Sequence, residues 1–134
     1  EIVDCDWSSD VCSSDLQSVG GNLNLYHSSL QSLGNLESVG GDLFLTDSKI
    51  KSLGNLKYVG GTVEAEDLKI DSLGDLESVG RNLSLAYSNI ESLGNLKYVG
   101  GNLDLRHTIP SKKYSFKELR QMVKVKNGIY LWNI

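Results

Sequence analysis

His27 and His107 are the only histidines in the 134-residue chain, and histidine is the side chain best suited to moving protons near neutral pH. They occupy equivalent positions in a twenty-residue repeat, four periods apart. If each period is one coil and stacked strands lie about 4.8 Å apart, the rings are held roughly 19 Å from each other, too far to act on one substrate atom. No serine–histidine–acid set, cysteine nucleophile or phosphate loop of the required form accompanies them. The chain reads as a non-enzyme.

Glu64, Glu66, Asp67 and Asp71 form the densest acidic group. A cation site needs oxygen ligands converging from a glycine-bearing loop. Carboxylates along a strand face are instead solvated, and the spaced aspartates of calcium-binding nonapeptides are missing. No metal and no cofactor are expected. Lys112, Lys113, Lys117, Arg120, Lys124 and Lys126 give the C-terminal segment a basic character against Glu118 alone, a weaker candidate for anion binding. The repeats carry 7 basic against 11 acidic residues, so this positive field is local and nucleic acid is not the expected partner.

The elements that position these residues come from the repeat itself. Its copies are Val19–Ser38, Val39–Tyr58, Val59–Ser78 and Val79–Tyr98, with a fifth that starts at Val99 and loses the pattern after Thr108. A fixed period of this size marks stacked units that cannot bury their apolar face alone. In the second copy the apolar positions are Val39, Leu43, Leu45, Ile50, Leu53 and Leu56; Leu43 and Leu45 alternate with Asp42, Phe44 and Thr46 in the period-2 pattern of a half-buried strand. The first copy repeats them at Val19, Leu23, Leu25, Leu30, Leu33 and Leu36. Glycines interrupt every window long enough for a helix. The expected fold is a β-rich solenoid of short 20-residue coils with one strand per coil, one parallel sheet and a C-terminal helix–strand cap.

Comparing the coils with one another shows what each position must do. Gly20, Gly40, Gly60, Gly80 and Gly100 never vary, which suits a left-handed turn, whereas the next position admits Arg81. Asn35, Asn55, Asp75 and Asn95 follow Gly34, Gly54, Gly74 and Gly94 as turn residues. Glu37, Lys57, Glu77 and Lys97 alternate in sign as a charge ladder, each exposed pair worth about 0.2–1 kcal/mol. The third coil carries Ala65 where others have Leu25, Leu45 and Leu85, and Leu68 where others have Ser28, Ser48 and Ser88, a volume-conserving exchange.

Variation concentrates on the outward strand positions. One series is Asn24, Phe44, Glu64, Ser84 and Asp104; the next is Tyr26, Thr46, Glu66, Ala86 and Arg106. A diversified sheet face on a regular scaffold is how solenoids present a recognition surface, and exposed aromatic residues favour that use over drift. Protein is the expected partner and glycan the second. The other readings are a structural spacer or stalk of a surface or virion protein, and the regulatory arm of a larger enzyme whose catalytic domain lies upstream.

After Thr108 the pattern changes. Ser115 and Glu118 make a capping box, with Tyr114 and Leu119 as a hydrophobic staple, predicting a helix over 116–124 that buries Phe116, Leu119 and Val123. Val125 to Trp132 then realigns with Val99 to Arg106, so Ile129 and Leu131 belong to one last strand that closes the core.

The spacing LxLxxSxIxSLGNLxxV over residues 17–110 resembles the leucine-rich repeat, LxLxxNxLxxLPxxLxxL, in a short variety met in bacterial and phage reading frames and related in style to receptor L domains. Ser28, Ser48 and Ser88 stand where that family has a ladder asparagine. The resemblance implies a solenoid and a tendency toward ligand recognition, and function varies widely on such folds.

Cys5 to Leu16 resembles something else, the in-frame translation of a common short-read sequencing adapter. Residues 1–16 are therefore expected to be an artefact, disordered and outside the fold, leaving 17–110 as the solenoid and 111–134 as the cap. Its five acidic residues have no basic counterpart, so without it the formal charge moves from −4 to +1. Cys5 and Cys12 leave with it, and with them any disulfide argument. Gln17 enters mid-repeat, so the native protein is expected to continue upstream. No membrane segment is present in the sequence as given, which leaves localisation open.

Overall fold

The structure is a computed structural model that describes residues 17–29 and 31–131. The adapter-like stretch with Cys5 and Cys12, the core position Leu30 and residues 132–134 lie outside the described residues.

Each coil contributes two short strands. The first strands are β1 (Ser18–Val19), β3 (Ser38–Val39), β5 (Tyr58–Val59), β7 (Ser78–Val79), β9 (Tyr98–Val99) and β11 (Lys124–Val125); the second are β2 (Leu23–Asn24), β4 (Leu43–Phe44), β6 (Val63–Glu64), β8 (Leu83–Ser84), β10 (Leu103–Asp104) and β12 (Ile129–Tyr130). They form two six-stranded parallel sheets, one from each set, each strand paired with its counterpart one coil away. The protein is thus a β-solenoid of 20-residue coils, with two parallel sheets where the sequence led us to expect one. The alternation of Leu43 and Leu45 marks only the second sheet; the first has a single buried residue per coil, such as Val39, before the chain turns at the glycine pair, too little for a period-2 signal. Bridges between Ser32 and Ser52 and between Ser72 and Ser92 mark a third line of contact.

The apolar positions read from the second coil are all buried: Val39, Leu43, Leu45, Ile50, Leu53 and Leu56 are at most 3% exposed. Ala65 and Leu68 of the third coil are both 1% exposed in that same continuous core. Each such Leu or Val contributes roughly 1.5–3 kcal/mol relative to exposure. Stacking supplies the stability that one coil lacks.

The invariant first glycine has a different cause from the one its invariance suggested. Left-handed backbone occurs at Gly34, Gly54, Gly74 and Gly94, and at the non-glycine positions His27, Asp47, Asp67, Tyr87 and His107, but not at Gly40, Gly60, Gly80 or Gly100. At those four a Cβ would land on the carbonyl oxygen of the glycine one coil earlier. Close approach of stacked backbones is what excludes a side chain. At the left-handed glycines the turn is closed by the serine two residues before, whose Oγ accepts the glycine amide at 2.9–3.0 Å, as Ser52 does for Gly54.

A second ladder was not apparent from sequence. Asn22 Oδ1 accepts the Asp42 amide, Asp42 Oδ1 the Thr62 amide, Asn82 Oδ1 the Asn102 amide and Asn102 Oδ1 the Gly128 amide, at 2.8–2.9 Å. A Cβ at Gly41, Gly61 or Gly101 would strike the ladder oxygen below it. At Arg81 no ladder oxygen lies below, Thr62 standing there in place of Asn or Asp, and the amide bond to the coil below is 3.1 Å against 2.8–2.9 Å at Gly41, Gly61 and Gly101. By contrast, Glu37, Lys57, Glu77 and Lys97 are joined through their backbones, each amide donating at 2.7–2.8 Å to the equivalent carbonyl one coil back. They make no ion pair within 4.0 Å among the described residues.

Two helices precede the last coil, α1 (Ile109–Lys113) and α2 (Phe116–Met122). The first was not anticipated; Pro110 sits in its first turn, where a missing N–H costs nothing. The second has the expected capping box: Ser115 Oγ accepts the Glu118 amide and Glu118 Oε1 accepts the Ser115 amide, each at 3.2 Å. It ends at Met122 instead of 124, because Val123 is extended and Lys124 already pairs with Tyr98. Leu119 and Val123 are buried as expected, but Phe116 is 53% exposed, with Tyr114 packed against the core in its stead. Val125 pairs with Val99 and Ile129 with Leu103, the register read from sequence.

Candidate recognition face

Because Leu23, Leu43, Val63, Leu83 and Leu103 point inward, the residue after each points out. The register then stacks Asn24, Phe44, Glu64, Ser84 and Asp104 directly over one another. Tyr130 pairs with Asp104 and extends the column; it is 49% exposed. Tyr130 is not among the expected face residues, although the alignment of Ile129 with Leu103 implies its place there.

Side chains on this face bond to one another in two groups. In the first, the Tyr26 and Phe44 rings stack with centroids 5.4 Å apart and planes at 25°. The Tyr26 hydroxyl reaches past Phe44 to donate to Glu64 Oε1 at 2.7 Å, two coils along the stack. That bond, then burial, then the negative charges of Glu64 and Glu66 push the Tyr26 hydroxyl up to about 12. Ser84 Oγ donates to Glu66 Oε2 at 2.8 Å. In the second group, Arg106 grips Asp104 with two parallel bonds of 2.9 and 2.8 Å, and its amide donates to Asp104 Oδ1 at 3.1 Å. The bond to Asp104 raises the Arg106 pKa further above its ordinary value. No family model, curated protein or solved structure matches the chain.

The second outward series is less uniform than the first. Tyr26 and Arg106 are exposed and Glu66 is half-buried, but Ala86 is only 1% exposed and does not belong to the surface. Thr46 is half-buried, with its Oγ1 enclosed and unpaired.

The other candidate residues do not converge. His27 and His107 sit on left-handed turns, and His107 stacks on Tyr87 at 4.4 Å. Among the described residues no group of three His, Cys, Asp or Glu side chains is placed to hold a metal ion, and no helix is long and apolar enough to cross a membrane. In the basic segment Arg120 is committed to structure: its guanidinium donates to the carbonyls of Val125 at 3.2 Å and Asn127 at 2.9 Å, tying α2 to the last coil. Lys113 lies 5.3 Å from the Tyr114 ring centroid, Lys117, Lys124 and Lys126 are exposed, and Lys112 belongs to α1. Two clefts open on the turns beyond the sheets. One of about 450 Å³ is bordered by Asp47, Lys49, Lys51, Asp67 and Lys69; the other, of about 400 Å³, by Asp71, Glu91, His107 and the buried Ser88.

Proposed function

We propose that this chain is a non-enzymatic recognition module that binds another protein through the outward face of the second sheet, with a glycan as the next class of ligand. The observation that carries the reading is the column from Asn24 to Asp104. Four coils and the first half of a fifth share their backbone course and differ most where side chains stand in register on one face. A rigid backbone with a diversified surface supplies binding area at little ordering cost. The LxLxxSxI spacing further supports a kinship with leucine-rich-repeat and receptor L-domain solenoids of bacterial or phage origin.

Sister repeats from the same genome test this without knowledge of the ligand. Under the recognition reading their differences concentrate at the positions of Asn24, Tyr26 and their counterparts in the later coils. Differences scattered over every exposed position would instead favour a spacer or stalk, whose only requirement is the stack itself.

A further inference from the structure

The first group of side chains on this face holds two carboxylates that form no ion pair; the nearby cation, Arg106, feels the charge of Glu66 but is bonded to Asp104. Glu64 ends β6 and Glu66 opens the turn that follows it, and both reach the outward column, Glu64 through the Tyr26 hydroxyl and Glu66 through Ser84. Both are half-buried, and each accepts a bond from a neutral hydroxyl, Tyr26 or Ser84. Among the described residues neither forms an ion pair; the pair on this face is Arg106 with Asp104, which cancels its own charge. Beside the carboxylates the stacked rings of Tyr26 and Phe44 remain accessible, Tyr26 being 39% exposed. An aromatic ring next to unpaired, half-buried carboxylates is the arrangement a guanidinium completes: its plane lies on the ring while its fork donates to the carboxylate oxygens.

We propose that Tyr26, Phe44, Glu64 and Glu66 form a pocketless subsite for an arginine side chain carried on an extended basic segment of a partner protein. This rests on the recognition reading above and specifies the partner's chemistry. Charge complementarity selects the occupant. The hydroxyl donors leave Glu64 Oε2 and Glu66 Oε1 to a ligand, and the excess of acidic over basic residues in the repeats attracts a basic segment from a distance. A neutral sugar would stack on Tyr26 yet leave both carboxylates without a counter-charge. Lysine would supply the charge as a point, without the fork.

Selection from a phage-displayed library of random short peptides on the immobilised full chain tests this. The expected result is enrichment of arginine-containing basic peptides. A synthesised winner should lose about tenfold or more in affinity for Glu64→Gln/Glu66→Gln, lose a similar factor when its arginine becomes glutamine, and weaken as salt rises. Unchanged circular dichroism and urea midpoints establish that the variants remain folded. Neutral or acidic winners whose binding is lost in Phe44→Ala would overturn the arginine assignment while leaving the recognition face standing. Winners indifferent to every substitution on the face, or no winners at all, would overturn both.

Discussion

The second coil (Val39–Tyr58) and the third (Val59–Ser78) follow the same course with different side chains. Their strands pair in register, and both place an aspartate and then a glycine in left-handed conformation, at Asp47 and Gly54 and at Asp67 and Gly74. Yet the third coil exchanges Leu45 for Ala65 and Ser48 for Leu68 inside, and it replaces the ladder residue Asp42 with Thr62 at the turn. Each exchange has a counterpart that would match it: Leu68, buried in the same core as Ala65, would restore the volume Ala65 gives up, and Arg81 stands where the equivalent glycines of other coils face a ladder oxygen. The coil's backbone and volume are the constrained quantities. Side chains vary in pairs that conserve them.

The core exchange should give the largest effect. Leu68→Ser removes a fully buried side chain where Ala65 has already left room, and it should cost about 2–5 kcal/mol, as buried leucine truncations do. Ala65→Leu alone overfills the same space, at about 1–3 kcal/mol. The double variant rebuilds the second coil's pair and should recover most of both losses in urea denaturation. Additive losses would mean that Ala65 and Leu68 do not share one volume.

At the turn the same logic predicts a smaller effect. Thr62→Asn would drive a ladder oxygen against Arg81 and should cost about 1–2 kcal/mol. Combining it with Arg81→Gly should relieve the clash and add the bond that Asn82 lacks, for a net gain of about 1 kcal/mol over the starting protein. A double variant no better than Thr62→Asn alone would sever the link between Thr62 and Arg81.

These pairings also mark where sequence alone was sufficient. The core period, the Ser115–Glu118 box and the realignment of Val125 with Val99 were legible because each is a local pattern or an internal comparison between coils. The asparagine ladder was not, because its bonds run between residues 20 or 26 positions apart whose closeness depends on register. Gly40 was legible as indispensable but not for the right reason, since invariance does not separate a left-handed turn from a carbonyl pressing from the neighbouring coil. Phe116 begins a helix with an apolar pattern, but within that helix only Leu119 is buried, and Val123, buried beside the core, is the extended residue just past its end. On the face itself the columns could be listed in advance. The two-coil reach of Tyr26 to Glu64 could not, because it depends on side-chain length and ring stacking.

That reach yields the smallest and most specific prediction, since it joins the first coil to the third across Phe44 of the second. The folded Tyr26 hydroxyl titrates at about 12, above the value near 10 of an unfolded tyrosine. Its stabilising contribution is therefore fully present below about pH 10 and is lost as pH rises through about 12. Phenolate absorbance of the native protein minus that of Tyr26→Phe isolates this group from the other five tyrosines. Glu64→Gln should bring the difference titration down toward 10, because the bond to Glu64 is the first cause of the shift. At neutral pH, Tyr26→Phe should cost less than about 1 kcal/mol, the bond being exposed. If the titration stays near 12 in Glu64→Gln, burial against Phe44 holds the hydroxyl up and the bridge to the third coil contributes little. If it sits near 10 in the unaltered protein, the bridge from the first coil to the third is not made, and coupling on the face stops at adjacent coils, as in Tyr26 on Phe44 and Ser84 with Glu66.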